Sequence, residues 1–144
     1  MRTTWGSAGF AEPFAGGADL VCVANTGAAA ALSAAGERPS VVRAVVSCGG
    51  RPDLAGDALA VVQAPTLFIV GSADTTVLRL NQAALAQMHA RARLARVPGA
   101  THLFEEQGAL DEVASLAASW FLEHLAAVVR PAGDSARRAT IQAN

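Results

Sequence analysis

The chain reads as an α/β domain built on a mainly parallel sheet, and three observations predict it. Short apolar runs recur at Asp19–Ala24, Val41–Ser47 and Thr66–Val70, with a weaker strand pattern at Arg93–Val97, each closed by small or polar turn residues. Between them lie alanine- and leucine-rich segments with helical spacing, and such alternation requires crossovers that place helices on both faces of the sheet. Finally, the 144 residues are 52% hydrophobic and only 16% charged, enough to bury the core of one domain. About four strands are expected, and unbroken rather than alternating apolar runs mark them as buried on both sides.

Taken in order, residues 1–18 are rich in Gly, Ala, Ser and Pro and show no period, so an irregular lead-in is expected there. Residues 19–129 form the predicted domain. The first run, Asp19–Ala24, passes through a tight turn into a helix over Thr26–Gly36, which Gly36 and Pro39 end. The second, Val41–Ser47, is stopped by Cys48-Gly49-Gly50-Arg51-Pro52, and one short helix fits between Asp53 and Gln63. The third, Thr66–Val70, is closed by Gly71-Ser72-Ala73-Asp74, after which Thr75 or Thr76 is expected to cap a helix with the stripe Val77, Leu80, Ala84 and Met88. A weaker fourth strand, Arg93–Val97, ends at Pro98-Gly99. The last helix has the clearest apolar face: Leu110, Val113, Leu116, Ala117, Trp120, Phe121, Leu125 and Val128. Residues 130–144 read as a polar tail.

Composition excludes several functions. A net charge of −1 gives no electrostatic footprint for nucleic acid. No run reaches the roughly 18 apolar residues of a membrane span, and the first residues lack the apolar centre of a signal peptide, so a cytoplasmic location is the expectation. Cys22 and Cys48 have no metal-ligand spacing and are expected as reduced thiols, Cys22 packed as a small hydrophobe. Neither a metal nor a cofactor is expected.

Parallel α/β sheets gather functional groups at the carboxyl ends of their strands. Three polar residues sit just past predicted strand ends: Asn25, Asp74 and His102. The strand–turn–helix at Val21–Ala30 is the setting of a nucleophile elbow, in which a side chain is held on a strained turn above the sheet. Its five central residues are Val23-Ala24-Asn25-Thr26-Gly27, so the last glycine of a G-x-S-x-G pattern is present and asparagine stands in the middle.

The order of these residues, and the passages Thr26-Gly27-Ala28-Ala29-Ala30-Ala31-Leu32, Gly49-Gly50-Arg51-Pro52-Asp53-Leu54, Gly71-Ser72-Ala73-Asp74 and Val97-Pro98-Gly99-Ala100-Thr101-His102-Leu103-Phe104, resemble the carboxyl-terminal part of an α/β-hydrolase of the dienelactone hydrolase type. The resemblance covers residues 21–126 and implies a partial α/β-hydrolase fold. It implies hydrolysis of a small-molecule ester or lactone, with Asp74 as the acid, His102 as the base, Asn25 at the nucleophile position and the Thr26 N–H as an oxyanion donor. Asparagine carries no ionisable nucleophile, so the implied catalysis is impaired. The strands that precede the elbow in the family are not recognisable in the lead-in. The strand at Asp19–Ala24 is therefore expected to be an exposed apolar edge, which invites self-association. A non-catalytic binding or assembly module, or a piece of a longer hydrolase, is the alternative. Thr26, Ser47 and Cys48 are the other hydroxyls and thiol near the turn, and His89 and His124 fall in helical patterns as structural residues.

Overall fold

Apolar runs of about six residues can bury both faces only inside a layered structure, and the chain builds one. The computed structural model describes residues 3–6 and 19–129, with side chains described for residues 20–124. Strands β1 (Thr3–Gly6), β2 (Asp19–Ala24), β3 (Val42–Cys48), β4 (Thr66–Gly71) and β5 (Ala92–Val97) form one sheet in the order β1-β2-β3-β4-β5. Every neighbouring pair is parallel. Helices α1 (Gly27–Glu37), α2 (Ala58–Val61), α3 (Thr75–Gln87) and α4 (Ala109–Val129) complete it, with a 3-10 turn at Pro52–Ala55.

Two apolar layers sandwich the sheet. Leu20, Cys22, Ala44, Val46, Leu67 and Ile69 point to α4, where they meet Val113, Ala117, Trp120 and Phe121. On the opposite face Val42, Val45 and Phe68 meet Leu32 and Ala35 of α1, Leu59 of α2 and Ala84 of α3. Strand β4 is buried at all six positions, as a central parallel strand must be. Among the described residues no helix is long and apolar enough to cross a membrane.

The four expected strands are present and parallel, with helices on both faces. Five expectations change. Residues 3–6 are not irregular: they form β1, while the rest of the lead-in and the tail 130–144 lie outside the described residues. Consequently β2 is not an edge, because Thr3–Gly6 pair with Leu20–Val23 and satisfy its outer backbone groups. The single helix expected between Asp53 and Gln63 is two short pieces, since Gly56 (φ +55°) breaks the chain there. Helix α3 is capped by Asp74, not by Thr75 or Thr76. Finally, Leu110 is 63% exposed, and the buried face of α4 continues through His124 instead. The expected contributions of Leu125 and Val128 lie outside the described side chains.

Phe68 is fully buried in the central strand, whereas Leu122 is 67% exposed on α4. Phe68→Ala is expected to lower the unfolding free energy by about 3–5 kcal/mol in urea titration. Leu122→Ala should stay within about 0.5 kcal/mol of the parent chain.

Candidate functional site

The turn after β2 is the first component. Asn25 has a left-handed backbone (φ +53°), a conformation asparagine accepts better than most non-glycine residues. Its carbonyl oxygen accepts from the N–H of Ala28 at 3.5 Å and of Arg51 at 3.3 Å, so the turn is tied to the loop after β3. Thr26 is the N-cap residue of α1, but its side chain makes no capping bond, and both Asn25 and Thr26 are exposed. The loop can come this close only because residue 50 is glycine: a Cβ there would lie 2.5 Å from both the Ala28 Cβ and the Ser47 Oγ.

The second component is a carboxylate–imidazole pair. Asp74 follows β4 and uses its two oxygens differently. Oδ1 accepts from the Val77 N–H at 3.3 Å and so caps α3, while Oδ2 lies 2.8 Å from His102 Nδ1. A carboxylate only accepts, so Nδ1 carries the hydrogen and Nε2 presents a lone pair that can take a proton. The Asp74 side chain is 16% exposed and the His102 side chain 46%, which leaves the imidazole open to solvent and its partner shielded.

Backbone contacts hold the pair together. Ser72 N–H donates to the Val97 carbonyl and Ala73 N–H to the Ala100 carbonyl, each at 3.0 Å, and Gly99 N–H donates to Ser72 Oγ at 2.7 Å. A Cβ on Gly71 would overlap the Ala100 carbonyl and lie 2.7 Å from the Thr101 oxygen, so only glycine permits the approach. The histidine loop is braced from its other side. Glu106 Oε1 accepts from the Thr101 N–H at 3.0 Å and from the Thr101 hydroxyl, and that hydroxyl bond chiefly holds the Glu106 carboxyl below its usual range. Buried Phe104 then closes the loop at φ +54°, a strained value for an aromatic residue.

Asn25, Asp74 and His102 all lie at the carboxyl edge of the sheet, and the end of β3 joins them. A Cβ on Gly49 would sit 3.2 Å from the His102 carbonyl oxygen, and one on Gly50 would sit 3.1 Å from that of Asn25. The structure thus brings Asp74 and His102 into contact, and sets the Asn25 carbonyl beside Gly50, with no hydrogen bond from Asn25 or Thr26 to Asp74 or His102 among the described residues.

The other nucleophile candidates are differently placed. Ser47 is fully buried beneath Gly50. Cys48 packs toward α4, and its hydrogen bond with Cys22, reinforced by burial, pushes its thiol up and keeps it protonated. His89 is not in a helix as expected but exposed two residues past the end of α3, whereas His124 is buried on α4 and turns Nδ1 onto the Trp120 carbonyl at 2.8 Å. Arg51 grips Asp53 through two bonds of 2.9 Å, which hold that carboxyl below its usual range. No three His, Cys, Asp or Glu side chains gather into a metal site among the described residues.

Asn81 was not expected. Fully buried on α3, it donates from Nδ2 to the Gly50 carbonyl at 3.1 Å and to the Val77 carbonyl at 2.8 Å. It thereby ties the helix that Asp74 caps to the loop beside Asn25. Its signal in the sequence is a polar residue beside Leu80 and four positions after Val77, within an otherwise apolar stripe.

Comparison with solved structures gives the class of this arrangement. The monoacylglycerol lipase of Paleococcus ferrophilus (13% identity, TM-score 0.64, 76% of this chain and 70% of that one) and the ferulic acid-bound Est1E of Butyrivibrio proteoclasticus (16%, 0.64, 74% and 59%) share the fold. This is an α/β-hydrolase fold. More specifically, the dienelactone hydrolase of Anabaena variabilis is 54% identical with a TM-score of 0.72 over 73% of this chain and 49% of its own, and the chain is a dienelactone hydrolase-like α/β-hydrolase over that span. Two Mycobacterium tuberculosis proteins, from strains CDC 1551 and H37Rv, are 61% identical over 102 residues, 71% of this chain. Both bear the name of a candidate phosphoribosyl transferase, and the chain spans 23% of their length. No family model matches the sequence.

The brace on the histidine loop is pH-dependent. Because the Glu106 carboxyl is depressed in the folded chain, its contribution is present above the ordinary glutamate value of 4.5 and is lost as pH falls through the lower folded value. The Thr101 amide resonance is expected to titrate with a midpoint below 4.5, and in Glu106→Gln that titration should vanish.

Proposed function

We propose that the chain carries the acid–base part of a site for hydrolysis of a small-molecule ester or lactone, with the nucleophile position occupied by Asn25 and turnover impaired for that reason. The observation that carries the proposal is the 2.8 Å contact between Asp74 Oδ2 and His102 Nδ1, at the carboxyl edge of a fold 54% identical to a dienelactone hydrolase. In this reading Asp74 fixes the tautomer and stabilises the imidazolium, and His102 Nε2 accepts a proton from whatever attacks the acyl carbon. The N–H of Thr26, at the start of α1, serves as one oxyanion donor. A serine hydroxyl at position 25 would surrender its proton to His102, whereas the Asn25 amide supplies no comparable nucleophile. Losing the nucleophile of such a unit costs roughly 10⁶-fold in turnover. No cofactor or metal is required.

A second reading is a binding or assembly module. Its supporting observation is the left-handed Asn25, which keeps the turn in shape, together with Leu103, 57% exposed beside His102. An apolar side chain there would suit an acyl ligand held without being cleaved. The phosphoribosyl transfer named for the mycobacterial relatives belongs to proteins of which this chain spans 23%, and we assign that chemistry to none of its residues.

Hydrolysis of an activated aryl ester separates the readings. The chain as it stands should show no burst. Asn25→Ser should gain esterase activity, and His102→Ala in that background should remove the gain. Burst kinetics from the unaltered chain, abolished by His102→Ala alone, would contradict the impairment. A folded but inert Asn25→Ser protein would favour the binding module.

A further inference from the structure

Hydrolysis as proposed uses Asp74 and His102 and leaves a fully buried amide, Asn81, without a part. Asn81 and Ala84 are the two buried residues of α3. The Asn81 Oδ1 is buried and meets no donor. An unmet acceptor in the interior is unfavourable, so an apolar side chain would suit this position better if packing were all it supplied. What asparagine contributes lies in its other atom. Nδ2 stands 3.1 Å from the Gly50 carbonyl oxygen and 2.8 Å from that of Val77. Carbonyl oxygens only accept, so the nitrogen and not the oxygen must face them. The Val77 carbonyl already belongs to the hydrogen-bond ladder of its helix. The Gly50 carbonyl has no backbone donor among the described residues, and Asn81 is its partner.

That carbonyl shares a peptide plane with the Arg51 N–H, and in a trans peptide the two point in opposite directions. One end of the plane faces Asn81 on α3. The other end donates to the Asn25 carbonyl at 3.3 Å. Glycine at position 50 offers little resistance to rotation of this plane, so its orientation depends on the bonds at its two ends. Accepting at the carbonyl also polarises the N–H and strengthens it as a donor. Both flanks are anchored separately: the Gly49 N–H donates to the Ile69 carbonyl at 2.7 Å, and the Arg51 guanidinium grips Asp53.

The Asn25 turn has little of its own to hold it. Its carbonyl otherwise meets only the Ala28 N–H, at a long 3.5 Å, and the Thr26 side chain makes no capping bond. Its backbone is nonetheless left-handed, at φ +53°.

We propose that Asn81 is a positioning residue, which fixes the rotation of the Gly50–Arg51 peptide and through it the Asn25 turn. The Asp74–His102 pair is held by other contacts, at Gly71 and Ala100, so the two effects are separable. The positioning holds whether or not position 25 supports catalysis, and only its effect on turnover rests on the hydrolytic reading.

The test is ¹⁵N–¹H NMR of the full chain. In the parent, the Asn81 side-chain hydrogens should exchange at least about a hundredfold more slowly than those of exposed Asn25. Asn81→Leu removes both donors at similar volume, and Asn81→Ala removes them without crowding and serves where leucine prevents folding. In either variant the Arg51 amide should lose at least about tenfold of its exchange protection. The Arg51, Thr26 and Ala28 amide resonances should shift, whereas the His102 Nδ1–H resonance stays at its parent position. Where Asn25→Ser is an active esterase, adding Asn81→Ala should lower kcat by about tenfold with KM unchanged. Asn81 side-chain exchange as fast as that of Asn25 in the parent overturns the proposal, as do unmoved Arg51 and Thr26 amides in the variants. Loss of the His102 resonance along with them also overturns it, because general loosening and not positioning would then be at work. An unchanged kcat in the active background does the same. If Asn25→Ser is inert, the hydrolytic reading fails, and the amide resonances still decide the role of Asn81.

Discussion

The candidate site depends on how closely two loops approach each other. Gly71 ends β4 with no side chain, and the backbone at Ala100 and Thr101 fills the space a Cβ would occupy. That approach allows the hydrogen bonds from Ser72 and Ala73 to Val97 and Ala100, and those bonds fix where Asp74 and His102 stand relative to each other. Two residues that are 28 positions apart in sequence are thereby held at 2.8 Å. Overpacking such a contact typically costs about 1–3 kcal/mol, and here the cost would fall on the geometry of the pair.

Asp74 also shows that one carboxylate can serve two contacts at once. Its Oδ1 caps α3, a contribution of about 1 kcal/mol in typical proteins, while Oδ2 orients His102. The cap restrains the carboxylate that the imidazole needs. Asn81 extends the same connection, because the helix that Asp74 starts reaches back through Asn81 to Gly50 and so to the Asn25 turn. Asp74, His102 and the Asn25 turn are joined through α3 and the Gly49–Gly50 loop rather than by direct contact among all three.

Much of this was legible in the sequence, for physical reasons that differ by element. Strands β2 to β4 announced themselves as apolar runs because both faces pack on helices, β5 more weakly because Arg93 and Arg96 are exposed, and Asp74 and His102 because small-residue turns follow their strands. Strand β1 was not legible: Thr3–Gly6 is four residues long, carries no apolar period, and exists by pairing with β2. Asn81 showed only as a polar residue within the apolar stripe of α3, and its distant partner, a backbone carbonyl 31 residues away, leaves no trace in local spacing. Leu110 followed the helical period yet is exposed, because the face that meets the sheet runs through Ala109, Val113, Ala117 and Trp120, and Leu110 stands one position off it, whereas His124 joined the buried face through its bond to Trp120. Periodicity gives the general face of a helix but leaves open which of two adjacent apolar positions, here Ala109 and Leu110, turns onto the core.

The central claim, that the Gly71 approach holds Asp74 against His102, is tested most directly by the tautomer of His102 in ¹⁵N NMR. The parent chain should show His102 as the Nδ1–H form with a downfield proton, beside an exposed His89 that serves as the internal reference. Gly71→Ala, if still folded by circular dichroism, should return His102 to the tautomer mixture of His89. An Nε2–H form in the parent, or an unchanged Nδ1–H signal in Gly71→Ala, would contradict the account.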